Sequence, residues 1–144
     1  MAKRSVACIA INARKVLVAK RILRGQMGGR WEFPGGKVEG GEDEAAAAVR
    51  EMQEEFAVEI TAGEVIATAT FFHNGQEVAL KALRVFPAHD GVNRPYVLSE
   101  HTEYAWVDIA DVESLPFVDS DLLLYPAVKA YVLSLTPSSG GSTQ

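Results

Sequence analysis

The sequence has a single cysteine, Cys8, inside an apolar run. One thiol excludes an internal disulfide and a multi-cysteine zinc site. Cys8 reads as a small buried core residue. Long apolar stretches are also missing near the start. Asn12, Arg14 and Lys15 cut the first run too early for a signal peptide or a membrane span. A cytoplasmic protein with no membrane partner is the expectation. Excess basic charge is missing too. The formal net charge is -5, so no global field draws the chain onto polymeric nucleic acid. If the protein handles a phosphate compound, the positive charge must be local or come from a metal. No internal repeat or linker is visible. The 144 residues suffice for one domain with a core, placed at residues 1–136. The polar tail PSSGGSTQ (137–144) reads as disordered.

What is present is a set of alternating strand and helix signals. SVACIAI (5–11) and KVLVAKRI (15–22) read as adjacent strands around a polar break. LRGQMGGR (23–30) is glycine-rich and reads as a loop, and Trp31 to Pro34 leads into a second glycine loop. Residues 43–56 read as a helix. Residues 58–73 and 77–88 read as long strands around an Asn74-Gly75 turn, a strong hairpin signal. HDGVNRP (89–95) is a loop, 103–109 a strand, 110–115 a short helix and 120–135 a helix despite Pro126. The pattern predicts an α/β fold, helices packed on a mixed sheet.

The helix at 43–56 carries an electrostatic conflict. Its apolar stripe is Ala45, Ala48, Val49, Met52 and Phe56, expected to pack on the sheet. Asp43 is placed to cap the start and Glu44 suits the positive end. Glu51, Glu54 and Glu55 crowd another side, with the last two where the dipole disfavours anions. Only Arg50 is near enough to offset them. Two accounts fit: a solvated charged face, or a site for a hard divalent cation such as Mg²⁺, or Mn²⁺ in its place, completed by substrate phosphates. Gly35, Gly36, Gly40 and Gly41 precede the helix and permit a ligand's close approach.

Joined together, these residues are more specific than they are apart. Gly36, Glu42, Arg50-Glu51, apolar Met52, Glu54-Glu55 and apolar Val58 resemble the Nudix hydrolase signature, Gly-x5-Glu-x7-Arg-Glu-U-x-Glu-Glu-x-Gly-U, with U apolar. Ala57 departs from it, standing where the family usually has Gly at the helix end. WEFPGGKVE (31–39) and the segment 96–121 are similar to the MutT and CTP pyrophosphohydrolase branch. Residues 65–80 lack the Pro or Tyr that often marks the ADP-ribose and dinucleoside polyphosphate branches.

The resemblance implies an α/β/α sandwich and metal-dependent hydrolysis of a nucleoside triphosphate to the monophosphate and pyrophosphate. It implies Glu51, Glu54 and Glu55 as metal ligands, with the Gly36 carbonyl and Glu100. Glu51 and Glu100 both stand as candidates for the general base. Glu42 and Arg50 are expected to form an orienting pair. Arg21 is the candidate phosphate ligand, with Lys37 and Arg24 behind it. Phe33 either stacks on the base or belongs to the core. Asp121 is placed to read the base edge. An ionised Asp only accepts hydrogen bonds, which favours the cytosine amino group; a protonated one would serve an oxidised guanine. Candidate substrates are CTP, dCTP, 5-methyl-dCTP and 8-oxo-dGTP. The alternatives are another nucleoside diphosphate-linked compound and a noncatalytic nucleotide-binding module. A monomer or a homodimer fits equally. His73, His89 and His101 lack metal-ligand spacing and read as ordinary polar positions.

Overall fold

The computed structural model describes residues 3–25, 27–88 and 95–135. Nearly all of the expected loop at 89–95 and the whole tail at 137–144 lie outside the described residues. The strands are β1 (Lys3–Asn12), β2 (Lys15–Arg21), β3 (Trp31–Glu32), β4 (Gly35–Lys37), β5 (Ile60–His73), β6 (Gln76–Pro87) and β7 (His101–Asp108). The helices are α1 (Glu44–Phe56) and α2 (Asp119–Leu135), with a 3₁₀ turn at Ile109–Ser114.

The sheet is mixed. β1 runs parallel to β6 and antiparallel to β2 and β4. β5 and β6 form a long antiparallel hairpin. Its turn residues Asn74 and Gly75 both have positive φ, 53° and 74°, the geometry that matches the twist of paired strands. β7 pairs with β2 and β3 with β2. The sequence did not foresee β3 and β4. Two and three residues are too short to show a period, and their neighbours hold them. At Gly35, φ is 143° and an added Cβ would meet the Val6 carbonyl oxygen at 2.1 Å, so glycine alone fits there.

Strict alternation in β1 and β2 feeds two cores on opposite faces. Ala7, Ile9, Val16 and Val18 face α2, packing with Leu124, Val128 and Val132. Cys8, Ala10, Leu17 and Ala19 face α1, packing with Ala48, Met52 and Phe56. The architecture is therefore the expected α/β/α sandwich. Cys8 is fully buried in it, and burial pushes its thiol far above the usual range.

One expectation about α1 is corrected. Ala45 and Val49 are exposed, while Ala47 and Glu55 are buried with Ala48, Met52 and Phe56. The buried stripe is rotated by roughly 50° from the apolar one, at 100° per residue. The helix thus turns its carboxylate side inward at the expense of an exposed valine. Asp43 caps the start, accepting the Ala46 N–H at 2.8 Å. The end is Ala57 in the left-handed region, φ 54°. An alanine thus holds the left-handed position where the signature that the chain resembles has glycine.

Candidate active site

Two recesses meet beside the glycine loop. One, about 370 Å³, is lined by Arg21, Glu32, Phe33, Glu55, Glu100 and Asp121, among others. The other, about 310 Å³, is lined by Gly36, Lys37, Arg50, Glu51, Glu54 and Glu100, among others. Gly36, Glu55 and Glu100 belong to both. Of the residues expected to form a site, Gly36, Glu51, Glu54, Glu55 and Glu100 line the second recess together.

Arg50 organises the acidic side. Its Nε lies 2.6 Å and its Nη2 3.0 Å from the two oxygens of Glu42. Its Nη1 reaches Glu51 at 3.1 Å and Glu54 at 3.2 Å, and Nη2 also donates to the Lys37 carbonyl at 2.9 Å. The Arg50 bonds, helped by the Glu39 N–H, pull the Glu42 carboxyl down to about 2. One guanidinium therefore ties the glycine loop to the helix. Glu54 is turned out onto it, and the Lys37 side chain is exposed beside the recess.

Glu55 is in the opposite situation. It is buried, with Oε1 accepting the Gly35 N–H at 3.2 Å. Burial, then the neighbouring Glu51, push its carboxyl up to about 9. An added Cβ at Gly36 would stand 2.6 Å from Glu51 Oε2, so that glycine leaves the carboxylate its space. Among the described residues no three His, Cys, Asp or Glu side chains are already gathered for a metal ion. The two that would have to turn, Glu54 and Glu100, are the exposed ones. The donor set fits a hard divalent cation nonetheless. It is all oxygen, and a cation between Glu51 and Glu55 would relieve the repulsion that helps raise the Glu55 carboxyl. Glu100 is held near by its neighbour. The Ser99 N–H and Oγ donate to the carbonyls of Glu55 and Glu54, at 3.3 and 2.8 Å.

On the far side, Asp121 is buried at the start of α2 and its Oδ2 accepts the Phe33 N–H at 2.9 Å. Burial, then the charge of Glu32, raise its carboxyl to about 7. It is therefore divided between acid and carboxylate at neutral pH, rather than a plain acceptor. Phe33 is 2% exposed and packs edge-on against Phe117 at 5.1 Å. It is core first, and it also lines the recess. Arg21 lines the same recess, with Nη1 3.1 Å from Glu32 Oε1.

Sequence reasoning missed two residues here. Glu32 lies unmarked between Trp31 and Phe33 in the sequence. His101 lacks metal-ligand spacing there. In the fold it is buried, stacked on Phe56 at 5.4 Å and 2.8 Å from Glu32 Oε2. Its place beside Glu100 was the only hint.

A mixed sheet thus lies between two helices, and the acidic helix faces a two-part recess. The NUDIX domain model matches residues 1–128, and the chain belongs to the Nudix hydrolase family. It is 34% identical over 125 residues to a CTP pyrophosphohydrolase of Escherichia coli, covering 87% of this chain and 90% of the relative. It is 50% identical to an 8-oxo-dGTP diphosphatase of Proteus vulgaris over 46 residues, 32% of this chain and 41% of the relative. The solution structure of the E. coli ORF135 protein superposes with a TM-score of 0.78 at 29% identity, covering 94% of both chains.

Proposed function

We propose that the protein hydrolyses a nucleoside triphosphate, CTP or dCTP or 8-oxo-dGTP, to the monophosphate and pyrophosphate. One observation carries this reading. The recess with Asp121 and Phe33 at one end opens, through Glu55, Glu100 and Gly36, onto the acidic recess at the other. A base at the first end brings its phosphates to the second. The similarity to a CTP pyrophosphohydrolase and an 8-oxo-dGTP diphosphatase supports the same substrate class.

Glu51, Glu54, Glu55, Glu100 and the Gly36 carbonyl would hold a divalent metal, Mg²⁺ or Mn²⁺. When bound, the metal neutralises polyphosphate charge and makes phosphorus more electrophilic. The chain's own residues do the rest. Arg21 binds phosphate oxygens, with Arg24 lining the same recess among the carboxylates of Glu32, Glu55, Glu100 and Asp121. Arg50 and Glu42 hold the loop and the helix in register. Glu51 or Glu100 takes the proton of the attacking water. Asp121 accepts from the cytosine amino group when ionised and donates to an oxidised guanine when protonated.

The test is nucleoside monophosphate release from CTP, dCTP, 8-oxo-dGTP and a set of nucleoside diphosphate-linked compounds, with pyrophosphate followed for the triphosphates, with Mg²⁺ or Mn²⁺ and with EDTA. Metal-dependent release from a triphosphate is expected. Turnover confined to the diphosphate-linked compounds would overturn the reading. The CTP to 8-oxo-dGTP ratio should rise as pH passes upward through about 7, where Asp121 ionises. Asp121→Asn should remove that rise and favour the guanine base. A ratio unmoved by both would show that Asp121 does not read the base.

A further inference from the structure

Arg21, Glu32 and His101 come from three strands and meet on one face of the sheet. The ladder explains how. Leu17 and Ala19 face α1, so Arg21, two residues on, continues that face. Glu32 is paired with Ala19 and shares it. β7 pairs Lys20 with Glu103, then Arg21 with His101, skipping Thr102. Without that bulge Thr102 would oppose Arg21, and His101 would point to the α2 face. One extra residue re-aims the imidazole. It lands on Phe56, the last residue of the acidic helix, with ring planes 17° apart.

The bonds are divided between the two carboxylate oxygens. Glu32 Oε2 lies 2.8 Å from His101 Nε2, and Oε1 takes Arg21 Nη1 at 3.1 Å. Facing a carboxylate, Nε2 must carry the proton. His101 Nδ1 is buried with no hydrogen-bond partner among the described residues. A bare acceptor there is cheaper than an unpaired buried N–H, so Nε2 is the ring's donor to Glu32. Arg21 Nε is likewise buried without a partner among the described residues. Its side chain is 40% exposed, so the rest of the guanidinium faces the recess.

From this we infer that His101 is a positioning residue for substrate phosphate, acting through Glu32 on Arg21. By occupying one oxygen of Glu32, His101 prevents a two-pronged Glu32–Arg21 pair. Such a fork-to-fork pair would satisfy the guanidinium internally and draw it off the phosphate path. With one oxygen engaged, Arg21 is steadied by a single bond and keeps donors for the ligand. The inference rests on the triphosphate reading for its ligand, but its geometry belongs to the resting protein.

The first probe is inorganic triphosphate with Mg²⁺, titrated calorimetrically into wild type, His101→Phe and His101→Gln. Phe keeps an aromatic ring on Phe56 and removes the donor. Gln restores an N–H donor and gives up the stack. Weakening of roughly tenfold is expected in His101→Phe, the low end for loss of a supporting hydrogen bond. His101→Gln should recover most of it. For CTP the same change should fall on KM, with kcat nearly unchanged. Nitrogen NMR of the resting protein should show the Nε2–H tautomer, altered by Glu32→Gln. Equal affinity in wild type and His101→Phe, or no recovery in His101→Gln although it folds, would overturn the inference. So would an Nδ1–H ring, or a wild type that does not bind inorganic triphosphate. If triphosphate binds with this pattern but no nucleoside triphosphate is hydrolysed, the proposed activity fails and the positioning role stands.

Discussion

The two helices lie on opposite faces of one sheet and are built on opposite terms. α2 buries Leu124, Val128 and Val132 against Ile9, Val16 and Val18. Its buried polar exceptions, Asp121 and the Tyr125 hydroxyl, are both hydrogen-bonded. α1 leaves Val49 41% exposed and buries Glu55 beside Glu51. A helix optimised for stability would do the reverse. The difference teaches where packing has given way to carboxylates: α1 still buries Ala48, Met52 and Phe56, but it also takes Glu55 in and leaves Val49 out.

The sharpest way to break that contrast is on α1. Glu54→Gln should lower kcat by at least about 100-fold, the scale of losing a metal ligand. Its side chain is exposed and its contact is a surface ion pair with Arg50 at 3.2 Å, so the melting temperature should stay within a few degrees. Wild-type turnover with Mg²⁺ in that variant would sink the metal assignment. The mirror experiment is on α2. Leu124→Ala should cost about 2–5 kcal/mol by leaving a cavity in a fully buried site. Well below its melting point, turnover should be almost unaffected. If denaturant unfolding shows under 1 kcal/mol, or kcat falls as in Glu54→Gln, the division between the helices is wrong.

Asp121 sharpens the comparison, because it is α2's one buried acid. Its folded value, about 7, lies above the ordinary 3.8. The folded state therefore holds the proton more tightly. The stabilising effect is complete below about pH 4 and is lost as pH rises through about 7. The loss is up to about 4 kcal/mol, less where the site relaxes. Asp121→Asn should flatten that part of the stability–pH curve, read as melting temperature from pH 4 to 8. Parallel curves for the two proteins would refute burial as the cause. The smallest effect is at the end of α1. Ala57→Gly should stabilise by about 0.5–1 kcal/mol, since left-handed backbone strains alanine more than glycine's flexibility costs. A lower midpoint in urea would show that the alanine methyl contributes packing that outweighs the strain.

The arrangement of carboxylates along α1 was legible because helix periodicity is local. Residues 51, 54 and 55 neighbour one another in any helix. The Asn74-Gly75 hairpin, the Asp43 cap and the two adjacent strands at 5–11 and 15–22 were legible because their signals are local too. The inward rotation of α1 was not, because Ala45 and Val49 look as apolar as Ala47 and Ala48. Glu32 and His101 were hidden more deeply. They lie far apart in sequence, and a single skipped residue in β7 decides which face His101 occupies.

By itself, then, the sequence determined the family signature, the sandwich of helices on a mixed sheet, and the conflict of like charges on one helix. These follow from spacing, and spacing is a property of the chain. Only the tertiary structure decided which carboxylates are buried, that Asp121 sits between its two protonation states, and that Glu32 joins Arg21 to His101. Those outcomes depend on burial and on cross-strand register, and both come into being only when distant segments pack together.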